Sequence, residues 1–357
     1  MNKQTLFFSD KPLFGLDVGH GTVRVMALDS SANKQSSPGV IGYGAAAFDP
    51  AALDGGVIVK PEIIAESVVE LFKHDLVGSV TTRRVALSLP TSHVFTRTMT
   101  VPQNFSKKEM DQAVHMETEQ YVPIPIEDIY VDYTNIGTKD DQNELLIVAA
   151  PKKLVDSYID LTNMLDLEPI LLETSVSSGV RMFSRGSQND VPALLIDFGS
   201  ESADITVYDN GLVVSGTVPC GGETFTRLIS QSLKVTLNEA ETIKSKYGLG
   251  ASKKQGQINK ALDSTLQTLL REIRRTMRYY SDQRDTAKIG QIVIIGGGAG
   301  MPGLADYLTD NLRLPVRTLD PTSYLDFGEL QPINPASHTS YVTVAGLSLV
   351  SPTEIFA

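Results

Sequence analysis

The chain opens on two short apolar runs separated by a turn. Leu13-Phe14-Gly15-Leu16-Asp17-Val18-Gly19 and Thr22-Val23-Arg24-Val25-Met26-Ala27-Leu28 have the apolar density of strands, and glycines at 19 and 21 mark the connection as a hairpin tip. A third strand is predicted over 40–44. The period then lengthens: Ile63, Ile64, Val68, Leu71 and Phe72 share one face of a helix, and the run 85–89 returns to strand before Pro90. The pattern is a strand-rich start with a crossover helix.

From Thr91 to about Leu172 the pattern describes a smaller α+β unit. Ser106 followed by Glu109 is a capping box, in which each side chain bonds the other residue's backbone N–H, so a helix should start there and run to about Tyr121, before Pro123 and Pro125. Strands over 129–136 and 144–150, a helix over 154–165 and a strand over 169–173 complete the unit. It reads as an insertion between two larger pieces.

After a polar loop over 184–190 the opening theme returns, with strands predicted over 193–199, 204–208 and 211–215. Asp197 lies 180 positions after Asp17, and each aspartate ends an apolar strand and opens a glycine- or serine-bearing turn into a second strand. An internal duplication accounts for both. Residues 223–285 read as helical, with Leu262, Leu266, Leu269, Leu270, Ile273 and Met277 at core spacing. A buried-type strand over 291–295 then runs into Gly296-Gly297-Gly298-Ala299-Gly300 and a helix starting near Pro302.

A length of 357 residues exceeds one compact core and suits two related lobes. The formal charge of −11, with no basic run to offset it, argues against nucleic acid as a partner. The single cysteine, Cys220, cannot form an intramolecular disulfide and fits a reducing, cytoplasmic setting. No apolar run approaches the roughly 20 residues that span a bilayer, and Leu6-Phe7-Phe8 is too short for a signal peptide core. Direct membrane insertion is therefore not expected.

The tips carry the candidate chemistry. Backbone N–H groups that grip phosphates need turns in which no Cβ obstructs the approach, and both hairpin tips supply them. A magnesium ion on the phosphates keeps several waters, so Asp17 and Asp197 can hold it through water. Either Asp-x-Gly turn alone is adequately explained as an ordinary hairpin. Their repetition, with the triple-glycine loop downstream, points to a nucleotide.

Leu16-Asp17-Val18-Gly19, Ile196-Asp197-Phe198-Gly199 and Ile294-Ile295-Gly296-Gly297-Gly298 resemble the phosphate-1, phosphate-2 and adenosine motifs of the actin, Hsp70 and sugar-kinase superfamily. Within it, Ala86-Leu87-Ser88-Leu89-Pro90, Arg97-Thr98-Met99-Thr100-Val101-Pro102 and Glu117-Thr118-Glu119-Gln120-Tyr121-Val122-Pro123-Ile124-Pro125 resemble the PilM family of type IV pilus assembly proteins. The likeness covers nearly the whole chain and is densest in the inserted unit, where the PilM and FtsA families carry a subdomain called 1C in place of the actin subdomain 1B. It implies an α/β, actin-like ATPase fold of two duplicated RNase H-like lobes, with a 1C-type α+β insert and a helical 2B-type subdomain. The corresponding division is 1–90 and 173–190 for the first lobe, 91–172 for the insert, 191–222 and 287–340 for the second lobe, 223–286 for the helical subdomain, and 341–357 returning to the first lobe.

The resemblance also implies ATP and magnesium as ligands. Gly19, His20, Gly21 and Thr22 would form the first tip, Gly199 and Ser200 the second, Gly221 and Gly222 a glycine pair beside the nucleotide, and Gly296, Gly297 and Gly298 the adenosine loop, with Asp17 and Asp197 toward the metal. Glu241 and Lys244 would line the ribose and adenine side, and Glu173 would position an attacking water. On the residues alone, Glu241 and Lys244 read better as a charge pair on a solvated helix face, and Glu173 nearly as well as an exposed strand-end carboxylate. Two departures stand out: His20 replaces the usual Ser or Thr, and Glu201 places a carboxylate where a small residue is common. Slow hydrolysis is expected, with the nucleotide acting as a conformational ligand.

The implied partner is the cytoplasmic tail of a PilN-like inner-membrane protein, held in a groove between the first lobe and the insert, together with other inner-membrane components of the pilus machine. The chain would then sit at the inner face of the membrane through that partner, with self-association left open. Two alternatives share the fold. An FtsA-like division protein should end in a linker and a basic amphipathic helix, whereas this chain ends Ser351-Pro352-Thr353-Glu354-Ile355-Phe356-Ala357. A small-molecule kinase needs an acceptor pocket and a catalytic base.

Overall fold

The computed structural model describes residues 11–29, 37–139, 141–186, 191–209, 211–283 and 288–351. The apolar opening at Leu6, Phe7 and Phe8, part of the polar loop over 184–190 and the tail beyond 351 lie outside these residues.

Strands β1 (Phe14–Val18), β2 (Thr22–Leu28) and β3 (Val40–Ala47) form an antiparallel meander. A small pair, β4 (Leu53–Asp54) and β5 (Val57–Ile58), precedes helix α1 (Pro61–Glu70), which starts at a proline whose missing N–H costs nothing in the first turn. Strand β6 (Val77–Gly78) edges β3, and β7 (Arg84–Leu89) comes in parallel to β1. The chain then leaves for a separate antiparallel sheet of β8 (Phe95–Pro102), β9 (Ile129–Lys139) and β10 (Gln142–Pro151), with β10 central and α2 (Lys107–Tyr121) after β8. Both halves of the Ser106/Glu109 capping box are present. Helix α3 (Lys152–Met164) and β11 (Glu168–Thr174) return, β11 parallel to β7. Although the sequence division assigns α3 to the insert, its Leu154, Tyr158 and Leu161 are buried in the core of the first sheet with Phe14, Leu16 and Leu87.

Helix α4 (Ser175–Gly186) leads to the second sheet. Strands β12 (Ala193–Phe198), β13 (Ala203–Tyr208) and β14 (Leu212–Val218) repeat the antiparallel meander. Helices α5 (Gly222–Leu233), α6 (Leu237–Lys246) and α7 (Gln255–Gln283) follow, and Leu262, Leu266, Leu269, Leu270 and Ile273 of α7 are fully buried against β12 and β13 side chains such as Phe198 and Ile205. Each such side chain contributes about 1.5–3 kcal/mol by leaving water. Strand β15 (Gln291–Ile295) is parallel to β12, α8 (Leu304–Leu312) follows, and β16 (Val316–Thr318) is parallel to β15. Helix α9 (Val342–Ser348) closes the described chain.

The order β11-β7-β1-β2-β3 in one sheet matches β16-β15-β12-β13-β14 in the other. Each is a three-stranded meander extended by two parallel strands, so the duplication read from two Asp-x-Gly turns extends to whole sheets. The sheets are joined through α4 and α9, where Met182, Phe183, Val342, Val344 and Ala345 bury against Met26 and Leu28 on one side and Leu195, Val293 and Ile295 on the other.

Candidate functional site

The two tips close in the same way. Gly19 N–H donates to Thr22 O at 3.0 Å, and 180 residues later Gly199 N–H donates to Ser202 O at 2.9 Å. The start of α5 is tied to the second tip by Gly222 N–H to Gly199 O at 3.0 Å and Glu223 N–H to Ser200 O at 2.9 Å. Gly221 is required for that contact, since a Cβ there would stand 2.1 Å from Ser200 O. At the third turn Gly296 has φ +84°, and a Cβ would meet Asp197 Oδ1 at 2.2 Å. The adenosine-type loop therefore folds directly onto the second aspartate, an approach open only to glycine.

These turns surround one cavity of about 880 Å³. It is lined by Asp17, Gly19, His20, Gly21 and Thr22 from the first sheet, by Asp197, Gly199 and Ser200 from the second, and by Gly222, Glu241, Lys244, Gly296, Gly297 and Gly298. Gly221 and Glu173 are not among the lining residues. Gly221 acts behind the wall, as described. Glu173 forms a two-pronged ion pair with Arg181 of α4, whose guanidinium also donates to Gly346 O at 3.1 Å on α9.

The carboxylates at the bottom of the cavity differ in their partners. Asp17 accepts from Ser88 Oγ at 2.5 Å, and Arg24 Nη1 lies 3.8 Å from its Oδ2. Burial raises the Asp17 pKa, with Arg24 and Ser88 opposing. Asp197 is pushed up to about 7, first by burial and then by the neighbouring Asp204 and Asp17. Asp204, directly across the hairpin from Asp197, is pushed up to about 6 by burial, against a hydrogen bond from the Thr217 hydroxyl. On the opposite wall Lys244 Nζ bonds Glu241 Oε2 at 2.7 Å, Thr226 Oγ1 at 2.9 Å and Gly222 O at 3.0 Å. Burial works against the Glu241 charge, yet these bonds with that from Thr226 hold its pKa below the usual range. Glu241 and Lys244 thus form one network that fixes α6 to the start of α5.

Sequence reasoning missed Arg24, Ser88, Asp204, Asp320 and His338, all of which line the cavity. Overlaying the two hairpins would have found the first and third, because Arg24 and Asp204 occupy the same place in the repeat. Asp320 and His338, 2.8 Å apart, arrive on the irregular segment before α9 and carried no pattern. Among the described residues, seven carboxylates and only two permanent cations, Arg24 and Lys244, line the cavity. No group of three or more His, Cys, Asp or Glu side chains among those residues is gathered as a direct metal ligand set.

The family described as type IV pilus assembly protein PilM matches residues 15–351. The chain is 26% identical over 249 residues to the cell division protein FtsA of Bacillus subtilis, a match covering 58% of this chain and 55% of that protein. It thus spans about half the length of that relative, and 37% of the FtsA of Neisseria meningitidis. Among solved structures, a PilM-PilN type IV pilus biogenesis complex aligns with a TM-score of 0.81 at 23% identity, covering 94% of this chain and 97% of that one. MreB5 of Spiroplasma citri bound to ADP aligns with a TM-score of 0.54 at 13% identity, over 97% and 98% of the two chains. The fold is therefore the actin-like ATPase fold expected from the duplicated turns.

Proposed function

The chain belongs to the PilM family of type IV pilus assembly proteins, and on that footing we propose that it is a nucleotide-responsive adaptor, binding magnesium-ATP in its cleft and the cytoplasmic tail of a PilN-like membrane protein beside its insert. The observation that carries the nucleotide half is the convergence of three glycine-bearing turns, two of them equivalent by duplication, on one cavity.

The residues fit a magnesium nucleotide. A Cβ at Gly296 would fill the cradle at Asp197, and the tips leave backbone close to the space where phosphates would lie. Seven carboxylates would repel a bare polyphosphate, so a divalent cation is the natural companion of the ligand. Asp17 and Asp197 would hold it through water, with Asp204 behind them, and the metal would neutralise and orient the phosphate oxygens. Gly19, His20, Gly21, Thr22, Gly199 and Ser200 would face the phosphates, while Gly222, Glu241, Lys244, Gly296, Gly297 and Gly298 would flank the nucleoside. Glu173 would have to leave Arg181 before it could position a water, which supports slow turnover and a ligand-like role for ATP. Calorimetry of Asp197→Ala tests the site: Mg-ATP affinity equal to wild type would sink the assignment of the second tip.

Tail recognition is proposed for the groove between the first lobe and the three-stranded sheet. On the insert, Met116 of α2 and Tyr130 of β9 are exposed. Extended apolar tails bind such clefts by burying a few side chains and adding main-chain hydrogen bonds. Because α3 belongs to the first-sheet core, the deletion that tests this removes residues 95–150 and leaves α3 in place. Fluorescence anisotropy of a labelled tail peptide should then show lost binding while Mg-ATP still binds. Retained tail affinity would refute the groove. Membrane proximity through such a partner is part of the same proposal, and among the described residues no helix is long and apolar enough to cross a membrane.

A further inference from the structure

His20 on the first tip reaches across the cleft mouth to two carboxylates of the second lobe. Its Nε2 lies 3.1 Å from Glu223 Oε1 and its Nδ1 lies 3.7 Å from Glu201 Oε1. Glu201 belongs to the second tip, and Glu223 is held in the first turn of α5, whose start is bonded to that same tip. The three side chains therefore join the two sheets at the point where the tips face each other. The contact is asymmetric in exposure: the His20 side chain is 24% exposed, while Glu201 and Glu223 are 59% and 58% exposed. The imidazole is the more buried partner, and both carboxylates are open to water.

We propose that His20, Glu201 and Glu223 form a clasp between the lobes that a terminal γ-phosphate must open and that a diphosphate leaves closed, so that the clasp sets the preference of the cleft between ATP and ADP. The inference rests on the nucleotide reading given above. With the nucleoside against Gly296, Gly297 and Gly298, the phosphate chain runs toward the tips, and its last group is the one that meets the clasp. Two carboxylates there oppose an incoming phosphate by charge, and their hold on His20 keeps the tips together. A triphosphate must turn both aside, after which the His20 ring is released to face the phosphate oxygens. A diphosphate is shorter by one phosphoryl group and does not reach them. Opening the clasp is then the event by which the third phosphate changes the relation of the two lobes, giving the nucleotide two outputs instead of one.

Isothermal titration calorimetry of the full chain tests this, with Mg-ADP and magnesium plus non-hydrolysable AMPPNP as probes. In the Glu201→Gln/Glu223→Gln variant the Kd for AMPPNP should fall about tenfold and that for ADP by less than about threefold, since exposed ion pairs are individually weak and only the longer ligand competes with them. Both carboxylates are exposed, so the substitutions leave the core packing untouched. Glu62→Gln/Glu66→Gln on α1 alters the net charge equally and serves as a control, with both affinities expected unchanged. Equal shifts for AMPPNP and ADP, no shift, or the same discrimination in the α1 control would overturn the clasp while leaving the nucleotide site standing. A wild-type chain that binds neither probe would overturn both readings.

Discussion

The two hairpins share strand order, turn closure and a strand-end aspartate, yet they handle that aspartate in opposite ways. In the first, the residue across the ladder from Asp17 is Arg24, whose guanidinium also stands over the Tyr341 ring at 6.0 Å. In the second, the residue across from Asp197 is Asp204. One hairpin brings its own counter-charge and the other stacks two acids. A duplicated scaffold can thus treat equivalent residues differently: Arg24 partly offsets the burial of the first aspartate, while no cation lowers the pKa of either acid in the second pair. A buried acid without a cation keeps its proton more tightly, and burial pushes Asp197 up to about 7 and Asp204 up to about 6.

Removing the first hairpin's cation should have the largest effect. Arg24→Met leaves Asp17 facing only Ser88 and should lower stability by about 2–4 kcal/mol at pH 8, judged by urea titration. The loss should shrink in acid, because burial already raises the Asp17 pKa and removing Arg24 raises it further. If Arg24→Met costs the same at pH 8 and in acid, the pairing does not govern Asp17.

Equivalent substitutions of the two aspartates should differ in sign. Asp17→Asn strands Arg24 and should destabilise by about 1–3 kcal/mol, whereas Asp197→Asn removes an uncompensated acid and should stabilise the ligand-free chain at pH 8 by about 1–3 kcal/mol. The sign follows from linkage: the folded pKa of Asp197, about 7, exceeds its unfolded value, so the folded state holds the extra proton between roughly pH 4 and 7, and stability falls as pH rises through that window. Below pH 4 the gain from Asp197→Asn should vanish. Melting curves at pH 5 and pH 8 decide it, and a destabilising Asp197→Asn at pH 8 would erase the contrast between the hairpins.

A smaller effect is expected at Thr217, whose hydroxyl bonds Asp204. Thr217→Val should cost about 0.5–1.5 kcal/mol at pH 8 and move the Asp204 titration upward, seen by carboxyl NMR. An unchanged Asp204 midpoint would mean that burial alone sets it. The smallest signal is a proton count. Mg-ATP binding at pH 7 should release a fraction of a proton, because burial pushes Asp197 up to about 7 and a cation there favours the carboxylate, measured by calorimetry in buffers of different ionisation enthalpy. Proton uptake would contradict an assignment of the cation to this carboxylate.

The duplicated turns, the insert's capping box and the α7 core were written in local residue patterns, because each depends on neighbours within a few positions: Asp17 and Asp197 each end an apolar run at a small-residue turn, and Leu262 to Ile273 repeat at helical spacing. The helices that join the lobes were not. Residues 175–179 of α4 are Ser-Val-Ser-Ser-Gly, poor helix formers, and 342–344 of α9 are Val-Thr-Val, which favour a strand. Both segments are helical because they are buried between two sheets distant in sequence, where packing of Met182, Phe183, Val342 and Val344 outweighs propensity. The same holds for the site. Local order of residues places Gly19 and His20 at one tip and Gly199 and Ser200 at the other. Tertiary packing was needed to hold Glu173 with Arg181, to bury Asp197 and Asp204 so that their pKa values rise, and to bring His20 to Glu223. Charge state and cross-lobe contact depend on what surrounds a group in space, and those surroundings come from segments as much as two hundred residues away along the chain.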